Sequence, residues 1–382
     1  MKMTLTERFN QLKKLFTFGQ KCNIEDTNLE ITFCDFNQTL VCDDVSSVRT
    51  TFVSPEFYSA GDDTVNENKH FVYPVFRYNK KGKDNSAILL LHGLNERSWE
   101  KYLCWAETLA RQTQKPVILF PIAFHINRTP SSWYDPREMS RWVRDRKSKQ
   151  ENTDNLTFAN LALSDRLIDS PMRFYFSGKE TAANLWQLVT EIKSGRHPLF
   201  EENTSVNIFA YSIGALLSQV LLISNHNNLF SDTKLFMFCG GSLFNMMNGN
   251  SKYIMDKEAF QKITNYYQHD FLLNTPNFSD DTDMAFKSMI DVDAYKQERQ
   301  NFFSNSANRI KAFSLKKDIV IPTAGIKNAL GEDCADKCLT EVDFPFEYSH
   351  EVPFPVGSKV SPELLDACYN FICSSASAFL AS

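Results

Sequence analysis

The order of apolar segments in this 382-residue chain predicts an α/β protein with a doubly wound, mostly parallel sheet. Three observations carry that reading. The runs at residues 86–91 and 117–120 are continuously apolar and end in glycine or proline, as strands buried on both faces do. Patterns of helical spacing alternate with them, at residues 99–111, 178–194 and 214–224. Finally, residues 207–215, NIFAYSIGA, pass from an apolar run through a serine flanked by small residues straight into a long apolar helical segment.

The elements follow in order. Leu5, Phe9, Leu12 and Phe16 have helical spacing, so residues 1–20 read as an amphipathic helix lying on the body. Residues 27–78 hold short β-like runs at 29–33, 48–53 and 71–78, separated by polar turns, which predicts antiparallel strands opening the sheet. The strand at 86–91 ends in His92-Gly93, and residues 115–121 give a second buried strand. Residues 122–176 break the rhythm and read as a first insertion of irregular and short helical pieces. The helix at 178–194 has apolar positions Ala182, Leu185, Leu188, Val189 and Ile192. After the serine turn and its helix, residues 234–239 form another strand, ending in Gly240-Gly241-Ser242, read as a flexible corner. Residues 243–306, rich in Phe, Tyr and Met among Asp and Asn, form a second insertion, a helical cap. A strand at 309–315, a short helix at 322–330, a last strand at 339–348 and a closing helix at 362–380 complete the pattern. No linker or internal repeat divides the chain, so residues 1–382 are expected to form one domain.

Composition narrows the function classes. The chain is 43% hydrophobic and 23% charged, with net charge −5, which gives no electrostatic reason to expect nucleic acid or an anionic membrane. With 32 Phe, the aromatic surplus must line a core, an apolar pocket or both. No window of about 18 apolar residues is recognised, so no membrane-spanning helix is expected. The first 20 residues carry charges throughout and lack the apolar core of a signal peptide. Nine scattered cysteines then read as free thiols in a reducing cytoplasm. Cys334 and Cys338 have neither a second pair nor a nearby His, so no metal is expected. Neither a P-loop nor a dinucleotide fingerprint is present, and no cofactor is expected. The basic group Arg137, Arg141, Arg144, Arg146, Lys147 and Lys149 reads as a solvated helix face; the alternative is a contact for an acidic substrate group.

Sites in open parallel sheets lie outside the carboxyl ends of the strands. Four predicted strand ends carry chemistry: His92-Gly93-Leu94, Ser212, Asp318 and His350. A strand–serine–helix turn, with Ser, Asp and His in that chain order and a His-Gly loop upstream, resembles the α/β-hydrolase superfamily over roughly residues 86–380. The resemblance points to an uncharacterised bacterial branch of it. Ala210 replaces the first glycine usual around the serine, a departure of one methyl group.

The resemblance implies a serine hydrolase. Ser212 would attack a carbonyl, His350 would take and return the proton, and Asp318 would hold the imidazole. The backbone N–H groups of Leu94 and Ile213 would form the oxyanion hole, with His92 and Gly93 shaping the loop. The expected substrate is a small carboxylic ester with an apolar part, amide and thioester remaining open. Each residue has an alternative. Ser212 could cap its helix, His350 could be a surface loop residue, and Asp318 could be a turn former. Asp343 and Glu347 are nearer to His350 in sequence but fall inside the predicted last strand. A non-catalytic binding protein on the same fold is the competing function. The oligomeric state is not legible.

Overall fold

The computed structural model describes residues 3–39, 61–150, 153–274 and 281–382. Its strands in chain order are β1 Cys22–Ile24, β2 Leu29–Asn37, β3 His70–Tyr78, β4 Asp84–Leu91, β5 Val117–Leu119, β6 Phe200–Tyr211, β7 Leu235–Phe238, β8 Ile310–Leu315 and β9 Leu339–Val342. They form one sheet in the order β1-β2-β3-β5-β4-β6-β7-β8-β9. Pairing is antiparallel from β1 to the β3–β5 contact. From β5 through β4 and on to β9 it is parallel throughout. The mixed sheet, antiparallel at its N-terminal edge, is the one the sequence predicts. The 48–53 run lies outside the described residues.

Both faces of the sheet are covered, which is why its central strands are apolar throughout rather than alternating. Leu89, Leu91, Ile208 and Ala210 face one core; Ile88, Leu90 and Phe209 face the other. Three helices cover the second face: α1 (Leu5–Leu15), α3 (Glu100–Thr113), which follows the short α2 (Asn66–Lys69), and the C-terminal Pro362–Ala381. Thr4 and Glu7 close a reciprocal capping box on α1, which fixes its start. The first core is covered by α5 (Leu161–Asp169), α6 (Met172–Lys193) and α7 (Ile213–Ser224), after α4 (Pro136–Lys149) in the first insertion. The second insertion contributes α8 (Lys257–Asn265), a π-type segment Tyr266–Phe271, α9 (Leu272–Asn274) and α10 (Asp281–Ser288). Then come α11 (Lys296–Ser306), α12 (Thr323–Leu330), α13 (Glu332–Cys338) and α14 (Pro362–Ala381).

Several expectations need correction. Helix α6 begins six residues before Gly178, because Phe174, Tyr175 and Phe176 continue its apolar pattern into the first insertion. That insertion also holds a regular 14-residue helix, α4, started by Asp135 accepting from the Arg137 and Glu138 amides with Pro136 in its first turn. On α4, Arg146 is not solvated. It is buried against Asp165, Asp256 and Glu258 at 2.6–2.9 Å and ties α4 to α5 and α8. Strand β9 stops at Val342, so Asp343 and Glu347 lie beyond it rather than inside it, and His350 sits in the following loop rather than at a strand end. Helix α13 is not anticipated at all. The residues 240–242 are a buried corner, not a flexible one. Finally, α14 is long and apolar enough to cross a membrane, with mean hydropathy 1.3 over its best window. Leu365, Ile372, Cys373, Ala376 and Leu380 on it are buried in the core shared with α3 and the sheet, which accounts for that composition.

Candidate active site

Strand β6 runs into α7 through Ser212, whose backbone is held at φ 55°, ψ −122°. Positive φ is disfavoured for a residue with a Cβ and costs on the order of 1–3 kcal/mol, so surrounding structure must enforce it. Two glycines make that possible. A Cβ on Gly214 would meet the Leu91 and His92 carbonyl oxygens at 2.7 and 2.9 Å. On Gly240, at the end of β7, it would meet the Ser212 oxygen and nitrogen at 2.6 and 2.9 Å. Bare backbone at both positions lets β4, β6 and β7 converge around the turn. Ser212 occupies the N-cap position of α7 but makes no side-chain capping bond, so the capping alternative does not hold.

The Ser212 hydroxyl instead points to His350. Oγ and Nε2 are 2.7 Å apart, and His350 Nδ1 lies 2.7 Å from Asp318 Oδ2. The other Asp318 oxygen accepts from the Val320 and Ile321 amides, each at 2.9 Å, so the carboxylate is oriented by its own turn. An acceptor at Nδ1 and a hydroxyl at Nε2 set the proton bookkeeping. Nδ1–H donates to Asp318, and the Nε2 lone pair accepts from Ser212. The three residues are 4–5% exposed. Asp343 and Glu347 are occupied elsewhere: Asp343 accepts from Tyr348, and Glu347 pairs with Lys317.

The loop after β4 is equally determined. His92 is fully buried, with Nδ1 bonded to the Gly93 carbonyl at 2.8 Å and Nε2 accepting from the Ile122 amide at 2.9 Å. Burial holds this imidazole well below its usual range, so it is neutral and fixes the loop against the strand end of β5. The Gly93 amide donates to the Tyr102 hydroxyl, which donates to Glu96, itself paired with Lys101. Leu94 and Ile213 line one small chamber with Ser212, together with Phe244, Ile254 and Val320.

Tyr211 is absent from the sequence reading. Its hydroxyl donates to the His350 carbonyl, and its ring lies nearly parallel to the imidazole, 17° between planes with centroids 5.5 Å apart. The available signal was a hydroxylated aromatic in a strand otherwise apolar, immediately before the serine. Cys334 and Cys338 sit one turn apart on α13 with sulfurs 3.3 Å apart. Among the described residues no group of three or more His, Cys, Asp or Glu side chains could hold a metal ion.

The strand order, the strained serine turn and the Ser212–His350–Asp318 chain define a protein of the α/β-hydrolase fold. The chain belongs to the family of unknown function DUF6051, whose sequence profile matches residues 3–381. Curated protein sequences gave no match. Among solved structures, a thermostable esterase from Pseudomonas putida is similar at 7% identity and TM-score 0.47, covering 98% of this chain and 88% of that one. A carboxyl esterase from the mycorrhizal fungus Tuber melanosporum is similar at 10% identity and TM-score 0.43, covering 82% and 81%. A hyperthermophilic esterase from the archaeon Pyrobaculum calidifontis is similar at 11% identity and TM-score 0.41, covering 97% and 89%.

Proposed function

We propose that this protein is a serine hydrolase that cleaves a carboxylic ester through an acyl-enzyme. The observation that carries the reading is the unbroken hydrogen-bonded chain from Ser212 through His350 to Asp318, at 2.7 Å in both links. A serine hydroxyl is a weak nucleophile at neutral pH, and a base within hydrogen-bond reach activates it. Ser212 Oγ attacks the ester carbonyl while its proton passes to His350 Nε2. Asp318 stabilises the imidazolium and keeps Nδ1 protonated. The alkoxide of the tetrahedral intermediate accepts from the Ile213 and Leu94 amides; one such donor is typically worth about 3 kcal/mol. The imidazolium then protonates the leaving alcohol, and a water activated by the same His350 releases the acid. This sequence uses no cofactor and no metal. The same machinery cleaves thioesters and activated amides. The apolar chamber around Ser212 favours a substrate with an apolar part.

A fluorophosphonate probe tests the nucleophile. Wild type should label at Ser212, and Ser212→Ala should not label and should lose about four orders of magnitude or more in kcat on aryl esters. Equal labelling of both would move the nucleophile to another serine. A folded wild type that neither labels nor turns over any ester would support a binding scaffold instead.

A further inference from the structure

The loop after β4 is pinned on both sides of Leu94 through one side chain. Tyr102, in the first turn of α3, is fully buried. Its hydroxyl accepts from the Gly93 amide at 2.9 Å and donates to Glu96 Oε1 at 2.7 Å. Gly93 and Glu96 both belong to the loop, and Leu94 lies between them. The phenol therefore closes a short ring with the backbone that carries Leu94. Lys101 Nζ donates to the same Glu96 oxygen, and the Glu96 carbonyl accepts from the Ile126 amide at 3.2 Å.

There is little slack inside this ring. A Cβ on Gly93 would stand 3.3 Å from two Tyr211 ring carbons and 3.4 Å from Glu96 Oε1. Asn95 turns the chain at φ 60°, in the left-handed region, so neighbouring contacts must hold that conformation. The peptide unit that carries the Leu94 N–H begins at the Gly93 carbonyl, which bonds His92 Nδ1 at 2.8 Å. His92 thus fixes one side of Gly93, and Tyr102 fixes the other through the Gly93 amide.

A carboxylate is the group this arrangement requires. A phenol that accepts from an amide still has its own proton to place, and a buried donor left unpaired is costly. Burial, together with the nearby Glu96 charge, pushes the Tyr102 phenol well above its usual range, so it keeps that proton. Donation to a charged acceptor also polarises the hydroxyl and strengthens its hold on the Gly93 amide.

We infer that Tyr102 and Glu96 are positioning residues of the oxyanion hole, and that the Gly93–Tyr102–Glu96 bridge sets the direction of the Leu94 amide. The role of that amide rests on the hydrolase reading. Glu96 also lines the cavity next to the Ser212 chamber, together with Leu94 and Ile213. A substrate contact there would act on binding, whereas a positioning role acts on the rate of the chemical step.

The test is the saturation kinetics of Ser212 phosphonylation by a fluorophosphonate, which separates the maximal rate from the binding constant. Each variant is first shown to be folded by circular dichroism. Tyr102→Phe and Glu96→Ala should each lower the maximal rate by about ten- to a hundredfold, less than loss of an oxyanion donor itself, with binding changed under about threefold. Glu96→Gln keeps an oxygen that accepts from Tyr102 and should restore the rate to within about fivefold of wild type. The double variant Tyr102→Phe/Glu96→Ala should be no slower than the slower single by more than about threefold, since both changes cut one bridge. An unchanged maximal rate in Tyr102→Phe overturns the inference. So does a loss that falls on the binding constant, because Glu96 would then be a substrate contact. Losses that multiply in the double variant overturn it as well. If Tyr102→Phe does not fold, Glu96→Ala against Glu96→Gln decides, and equal rates in the two overturn the inference. A wild type that is not phosphonylated removes the hydrolase reading and the inference with it; a labelled wild type with unaffected variants removes the inference alone.

Discussion

The strand-tip platform and the helical cover above it treat polar groups in opposite ways. On the platform, the polar side chains at the tips of β4, β6 and β8 find defined partners. Asp318 is held by two amides and His350, His350 by Asp318 and Ser212, and His92 by a carbonyl and an amide. In the cover, charges are gathered into buried clusters around Asp62 and Arg146, and some atoms stay without a hydrogen-bond partner among the described residues, including Arg166 Nη1 and Arg173 Nη2. A buried ion pair contributes little net stability, but removing one member strands the other. The platform therefore fixes geometry through paired polar groups, while the cover holds buried charge clusters that add little net stability but cannot lose a member cheaply.

Four changes would break or sharpen this comparison. The largest effect is expected from Asp318→Asn, which keeps shape but removes the acceptor that holds the His350 tautomer. Steady-state kinetics should show kcat down by about three to four orders of magnitude with little change in folding. A loss under tenfold would mean the platform does not depend on this orientation.

Gly240→Ala comes next. Its methyl would collide with the Ser212 backbone, and chemical denaturation should show a loss of about 2–3 kcal/mol. A neutral result would mean the serine turn is not confined by β7.

Acid should then weaken the fold. His92, His125 and His197 are all lowered by burial, the last two to about 4. Each stays neutral in the folded state, whereas its unfolded counterpart takes up a proton near 6.5. Stability is therefore lost as pH falls from about 6.5 towards 4, by roughly 1.4 kcal/mol per unit of displacement for each imidazole that stays buried. Asp165 in the cover, pushed up to about 6 by burial, works the other way over the same window. Urea midpoints at pH 7 and pH 4.5 measure the balance. His125→Phe should flatten the slope, and an unchanged slope would locate the acid sensitivity outside the cover.

The smallest effect is expected from Tyr211→Phe, which removes one bond to the His350 carbonyl while keeping the stacked ring. About 1 kcal/mol in stability and a kcat reduction within tenfold are expected. An effect as large as that of Asp318→Asn would make the hydroxyl a main support of the histidine loop.

Much of the platform was legible because it is local. An apolar run, a serine and a helix mark the turn at 207–215 without any knowledge of neighbours, and residues 86–94 mark the adjacent loop in the same way. The cover was not legible. Its helix α4 carried a readable start in Asp135-Pro136, yet its basic residues look alike in sequence, and only packing separates the buried Arg146 from the solvent-facing Arg141. Asp343 and Glu347 were set aside because a strand was expected to run to Tyr348. The strand ends at Val342, and their carboxylates are removed from contention by Tyr348 and Lys317 instead.

By itself, then, the sequence determined the alternation of buried strands and helices, and with it a mostly parallel sheet with Ser212 and Asp318 just beyond strand ends; His350 lies in the loop well past the end of β9 at Val342. Periodicity and chain order are short-range properties, so they survive reading one residue after another. Only the tertiary structure decided that Asp318 rather than a nearer acid meets His350, that Gly240 must be bare beside Ser212, and that Arg166, Arg173 and His125 share one cavity wall. The first two are contacts between residues 32 and 28 positions apart, and the third joins residues of separate elements, so all depend on packing that no local pattern encodes.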